Sequence, residues 1–209
     1  MGLIETVRVR SGTAPLWRLH LRRLEASCRA LGIPYPGALA VPSGGEDRMV
    51  RFEVDAAGVR VTERAIGPIT PIQVITSPVG YRPYPHKTTD RAQFDETLAA
   101  AKAGSASDGV LLTPEGLVAE AAIFALLWWE SGRLCGPPLD LGILPSVGRA
   151  RSGELAGGIT ERRARPADLA GLPLFAVNAA RGVVPIAAWD GRAVVSTPRT
   201  QELAEAFWP

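Results

Sequence analysis

The chain has 209 residues, 46% apolar and 21% charged, a composition that excludes a disordered segment and fits a folded soluble protein. Its 23 Lys and Arg against 21 Asp and Glu leave a formal charge of +2, which argues against a nucleic-acid partner. Two cysteines (Cys28, Cys135) and two histidines (His20, His86) supply neither a disulfide framework nor a metal-ligand spacing.

Residues 3–10 read as a strand, and Ser11–Pro15 as its turn. From Leu16 to Leu31 the pattern is helical, with Leu16, Leu19, Leu24, Cys28 and Leu31 on one stripe. After a Pro/Gly-rich loop (Ile33–Gly45), Met49–Asp55 and Gly58–Ile66 read as a hairpin, and Ile72–Val79 as a further strand of the same group. Gly80–Asp90 is a turn-rich connector. Arg91–Ala103 is a helix with Thr89 or Asp90 as N-cap. Asp108–Thr113 and Leu117–Glu130 read as a second hairpin, and Gly136–Ser146 as a loop leading to a helix over Val147–Ala156. Strands at Ile159–Arg163, Pro173–Asn178 and Val183–Trp189 and a helix at Thr200–Phe207 complete the chain. The expectation is an α+β fold of two lobes, 1–80 and 81–209, acting as one functional unit. The longest apolar run, Ala121–Trp129, is too short to cross a membrane, and the opening residues carry no signal-peptide core. A cytoplasmic location is the expectation.

Four features carry chemistry. Arg23 falls on the inward stripe of the first helix beside His20, where a guanidinium needs an anion: an internal carboxylate or a bound phosphate. His20 reads as a hydrogen-bonded core histidine. Leu144–Arg149 starts a helix through small residues, and free N–H groups at a helix start make an anion site. Lys87 is one of only two lysines, the other being Lys102, and stands in a turn before a helix. Desolvation or nearby positive charge would make it a nucleophilic amine. Glu120 interrupts an apolar strand and needs a cationic partner, a role a protonated pyridine nitrogen would fill.

The order of these motifs carries a resemblance. His20-Leu-Arg-Arg-Leu24, His86-Lys-Thr-Thr-Asp-Arg91, Gly116-Leu-Val-Ala-Glu120, Pro137-Pro-Leu139, Gly142-Ile-Leu-Pro-Ser-Val-Gly-Arg149 and Val177-Asn-Ala-Ala-Arg-Gly182 follow one another as in the class IV aminotransferases. The chain resembles these fold-type IV enzymes (D-amino acid aminotransferase-like) from Ile4 to about Pro185. The resemblance implies pyridoxal 5′-phosphate as cofactor, held as a Schiff base on Lys87. It places Glu120 at the pyridine nitrogen, Leu144 under the ring and Arg23 at the phosphate. Val147 and Gly148, and the turn at Asn178 and Ala179, would supply phosphate-binding backbone. Within the family the motifs are most like those of the 4-amino-4-deoxychorismate lyase branch of folate biosynthesis. Aminotransferases of branched-chain or D-amino acids and a non-catalytic paralogue are the alternatives. A homodimer is implied as well. The substrate carboxylate could be taken by Arg82, Arg91 or Arg181.

Three departures stand out. The chain opens at a strand that longer members reach later, so a segment near the substrate is expected to be missing. Ala125 replaces a usual asparagine. Ser146 and Gly148 replace a usual glycine and threonine, and one lost hydroxyl donor should weaken cofactor binding by roughly 1 kcal/mol.

Overall fold

The computed structural model describes residues 1–37 and 39–209 as an α+β fold. Strand β1 (Leu3–Val9), β2 (Arg48–Asp55) and β3 (Gly58–Ala65) form an antiparallel sheet in that order. Helix α1 (Trp17–Leu31) packs on it. Its expected inward stripe is buried at Leu16, Leu19, Leu24 and Cys28, while Arg18, Arg22, Glu25 and Arg29 are exposed. Leu3 and Val54 join Leu24 and Cys28 in one apolar cluster, so alternate residues of β1 face the helix. Gly32 ends α1 in the left-handed conformation and donates to the Cys28 carbonyl.

The second sheet takes up the remaining strands: β4 (Ile72–Thr76), β5 (Asp108–Leu112), β6 (Val118–Ala121), β7 (Ala125–Glu130), β8 (Arg133–Gly136), β9 (Thr160–Glu161), β10 (Leu174–Asn178), β11 (Gly182–Trp189) and β12 (Arg192–Ala193). Strand β4 was expected beside the first hairpin. It instead pairs in parallel with β11 and β5, so the chain changes sheet between Ala65 and Ile72. Its partners lie more than thirty residues away, beyond the reach of local pattern reading.

The expected single strand Leu117–Glu130 is two strands, broken at Ala122–Phe124. Buried Asp108 causes the break: its carboxylate accepts the N–H groups of Ala122 and Ile123, at 3.1 Å each, and so folds a turn into an apolar run. Strand β6 ends one side of the sheet order while β7 lies toward the other, although only three residues join them. The sheet must therefore curl, and Ala121 N donates to Phe124 O across the join at 3.0 Å. Strand β8 was not anticipated. Ser131 and Gly132, both at positive φ, make the two-residue turn that pairs it with β7.

Helix α2 (Ala92–Ala103) packs on β5, with α3 (Val147–Ala156) against β10 and α4 (Pro198–Ala206) against β11. Neither Thr89 nor Asp90 caps α2. The N-cap is Arg91, without a side-chain bond, because Thr89 Oγ1 is occupied by Gly2 N at 3.0 Å. Among the described residues no helix is long and apolar enough to cross a membrane.

Candidate active site

Lys87 is held by the first strand. Ile4 N donates to the Lys87 carbonyl at 2.7 Å, Thr89 N to the Gly2 carbonyl at 2.8 Å, and Leu3 bridges antiparallel to Thr88. Tyr84 Oη donates to Thr88 O at 2.6 Å, and His86 Nδ1 lies 3.0 Å from Ser27 Oγ of α1. The connector is therefore zipped to both the strand and the helix of the first sheet, and Lys87 lines a cavity of about 280 Å³ between the sheets. Burial, then the positive charges of Arg23 and Arg91, press the Lys87 ammonium down to about 7, against the pull of Glu5 and Glu120.

Glu120 lines the same cavity. Its Oε1 accepts from Leu144 N at 3.3 Å and lies 3.5 Å from Tyr81 Oη. Burial raises its carboxyl to about 8, although these bonds and Lys87 oppose the shift. Near neutrality the cavity thus holds an amine that readily loses its proton and an acid that readily keeps one.

Arg23 also lines this cavity, and the structure gives it an internal carboxylate. Its Nε and Nη2 donate to Oε1 and Oε2 of Glu5 at 2.9 and 2.6 Å. His20 Nδ1 lies 2.6 Å from Glu5 Oε2, completing a buried cluster of three. Burial alone would raise the Glu5 carboxyl, but Arg23 and His20 outweigh it and hold the group at about 2. Burial lowers the His20 imidazole, so it donates from Nδ1 as a neutral ring. Glu5 was missed in the sequence. The alternation that puts Leu3 inward puts Glu5 on the same face, directly under the helix that bears Arg23.

The helix start of α3 forms another wall. Ser146 is its N-cap, Oγ accepting from Arg149 N at 3.2 Å. Val147 and Gly148 follow at the first two helical positions, whose N–H groups have no carbonyl within the helix. Gly148 lies against the turn after β10 so closely that a Cβ would stand 2.8 Å from Asn178 Cα. The two backbone segments expected to cradle an anion are therefore in direct contact. Asn178 Oδ1 accepts from Ala180 N and Arg181 N at 3.0 and 2.8 Å, which shapes the turn through Ala179. Arg149 is drawn away from the cavity by Glu161 and the Pro137 carbonyl.

Lys87, Arg23, Glu120, Leu144, Val147, Asn178 and Ala179 thus line one cavity, with Gly148 buried beside it. Of the three arginines weighed for a substrate carboxylate, Arg91 and Arg181 line the cavity and Arg82 does not. Arg51 of β2 and Arg64 of β3 line it as well. They were overlooked because the hairpin reading did not say which face meets the second sheet.

The model of the family described as amino-transferase class IV matches residues 57–189. No curated protein matches the chain in sequence. Among solved structures, a branched-chain aminotransferase from Thermoproteus uzoniensis shares 21% identity, covering 99% of this chain and 84% of that one, with a TM-score of 0.86. A hypothetical aminotransferase from Mycobacterium tuberculosis in its PLP-bound form shares 22%, covering 99% and 87%, also at 0.86. A candidate 4-amino-4-deoxychorismate lyase from Legionella pneumophila shares 19%, covering 97% and 88%, at 0.82. At these identities the structural likeness establishes the fold.

Proposed function

The chain belongs to the class IV aminotransferase family, whose cofactor is pyridoxal 5′-phosphate, and from that premise we propose that it is a lyase converting 4-amino-4-deoxychorismate to 4-aminobenzoate and pyruvate. The residues suit the cofactor. The contact of Gly148 with the Asn178 backbone brings two anion-accepting segments together, and Arg23 keeps Nη1 beyond its two bonds to Glu5. In this reading Val147, Gly148, Ala179 and Arg23 hold the phosphate, Leu144 supports the ring and Glu120 keeps a proton at its nitrogen.

The cofactor supplies, when bound, an aldehyde for amine capture and a ring that withdraws electrons. Lys87, easily unprotonated, is the capturing amine. Its Nζ would also serve as the general base that takes the proton from the ring carbon bearing the substrate amino group. The carbon–oxygen bond to the enolpyruvyl group then breaks, and protonation of the departing enolate gives pyruvate. The ring left behind is aromatic, which drives the step without an oxidant or amino donor.

The observation that supports this substrate is the pair Arg64 and Arg181 on the cavity, in addition to the phosphate arginine, while Arg51 beside them is bound to Glu53. 4-Amino-4-deoxychorismate carries two carboxylates, and arginine is suited to both. Folate biosynthesis and a cytoplasmic homodimer belong to the same reading. The apolar lining at Met49, Leu98 and Ile123 favours the second reading, an aminotransferase of branched-chain or D-amino acids. Placement of Lys87 and Glu120 on one cavity weighs against a non-catalytic paralogue.

Product analysis separates the two activities. The lyase releases 4-aminobenzoate and pyruvate in equal amounts without any keto acid. Stoichiometric conversion of the cofactor to pyridoxamine phosphate by leucine, glutamate or D-alanine, with no aminobenzoate formed, would establish the aminotransferase instead.

A further inference from the structure

The turn that breaks β6 from β7 is clamped from three sides. Asp108, fully buried at the start of β5, accepts at Oδ1 from Gly109 N (2.8 Å) and Ala122 N (3.1 Å) and at Oδ2 from Ile123 N (3.1 Å). The carbonyls of the turn are taken by other elements: Ala122 O accepts from Arg91 Nη2 at 3.1 Å, and Ile123 O from Asn178 Nδ2 at 3.2 Å. Arg91 also lies over the Phe94 ring at 5.0 Å, and its Nε is 3.8 Å from Asp95. Ala122, Ile123 and Arg91 all line the cavity that Lys87 lines.

We propose that Asp108 is a positioning residue for the reacting amine: by fixing the Ala122–Ile123 turn it holds the Arg91 guanidinium on the wall of the cavity that Lys87 lines. The inference rests on Lys87 being the reacting amine but on no particular substrate. Lys87 is faced by Arg23 and His20 from α1, Glu5 from β1, Glu120 from β6 and Arg91 before α2. Burial lowers its proton affinity first, Arg23 second and Arg91 third. Arg23 is fixed by two hydrogen bonds to Glu5, whereas Arg91 is hydrogen-bonded to the Ala122 carbonyl, with Asp95 farther off at 3.8 Å. A turn released by Asp108 would leave Arg91 to Asp95 at the exposed rim of the cavity, drawing its charge outward and pairing it.

The sign of the effect distinguishes positioning from simple electrostatics. Removing the negative charge of Asp108 could by itself only make Lys87 harder to protonate. Loss of Arg91 from the wall makes it easier. A rise in the Lys87 midpoint therefore reports displacement of Arg91.

The test is the pH dependence of trinitrobenzenesulfonate labelling of Lys87 in the cofactor-free protein, followed by peptide mapping, with exposed Lys102 as internal reference. The wild-type midpoint should lie near 7. Arg91→Gln should raise it by roughly one pH unit, and Arg91→Lys should keep it low. Asp108→Asn keeps its shape but turns an N–H toward Ile123 N–H, so it should raise the midpoint as Arg91→Gln does. In the double variant Asp108→Asn should add nothing further. An unmoved or lowered midpoint in Asp108→Asn, or an additive rise in the double variant, would overturn the proposal. Should Asp108→Asn fail to fold, Arg91→Gln still decides, since an unmoved Lys87 midpoint there refutes the role of the guanidinium. No cofactor or substrate enters the measurement, so it stands or falls separately from the lyase assignment.

Discussion

Glu5 and Arg23 form a two-point ion pair between β1 and α1, at 2.9 and 2.6 Å, with the side chain of Glu5 almost wholly buried. The pair fixes the arginine expected at the cofactor phosphate to the same strand that, through Ile4 N, fixes the backbone of Lys87. In the proposed reading, two groups that act on opposite ends of one cofactor are thus referenced to adjacent residues of β1.

The first expected outcome concerns acid stability. The Glu5 carboxyl is held at about 2, below its ordinary 4.5, so its contribution is fully present above about pH 4.5 and is lost as pH falls toward 2. The contribution is on the order of 3 kcal/mol. Glu5→Gln should lower stability at pH 7 and flatten the dependence between pH 5 and 2. Denaturant unfolding at several pH values measures both, and an unchanged acid slope would show that Glu5 is not the responsible group.

Arg23→Ala should raise the dissociation constant for pyridoxal 5′-phosphate by one to two orders of magnitude, roughly 1.5–3 kcal/mol of charge-assisted bonding. It also leaves Glu5 buried without its arginine, a loss of about 3–5 kcal/mol in stability. Combining it with Glu5→Gln should restore much of the stability but none of the affinity. Cofactor titration and thermal melts of the three variants check the separation, and unchanged affinity in Arg23→Ala would confine this arginine to Glu5.

Glu120→Gln preserves shape but cannot share a proton with a ring nitrogen in the same way. Cofactor binding should persist while turnover falls at least about a hundredfold. Wild-type turnover in the variant would make the carboxylate structural.

How far the sequence was readable depended on whether a signal was local. The stripe of α1, the turn before Lys87 and the carboxylate in the β6 run are local patterns, and the structure brings Arg23, Lys87 and Glu120 to one cavity. Pairing of β4 with β11 was illegible because parallel partners come from distant chain. The break at Ala122–Phe124 was illegible because Asp108, which causes it, lies on another strand. Glu5 could have been found, since its alternation with Leu3 gave the Arg23 stripe an anion to meet. Arg51 and Arg64 needed the packing of the two sheets, which no periodicity contains.

Gly148 stands where the family pattern has threonine, and the structure supplies a reason. A Cβ there would lie 2.8 Å from Asn178 Cα and 3.0 Å from its C and N, all backbone atoms that cannot rotate away. Gly148→Ala should therefore cost about 1–3 kcal/mol and weaken cofactor binding by separating the two anion-accepting segments. Gly153→Ala, in the same helix, meets only the Ile159 side chain at 3.4 Å and serves as control. Melts and cofactor titrations of the pair test this, and equal behaviour of the two variants would remove the explanation.

The most direct test of the central claim uses the scarcity of lysine. Borohydride reduction of the protein in the presence of pyridoxal 5′-phosphate, followed by peptide mapping, should place the phosphopyridoxyl label on Lys87 and leave exposed Lys102 unmodified. Label on Lys102 alone, or on neither lysine, would contradict the assignment of the Lys87–Glu120 cavity as the cofactor site.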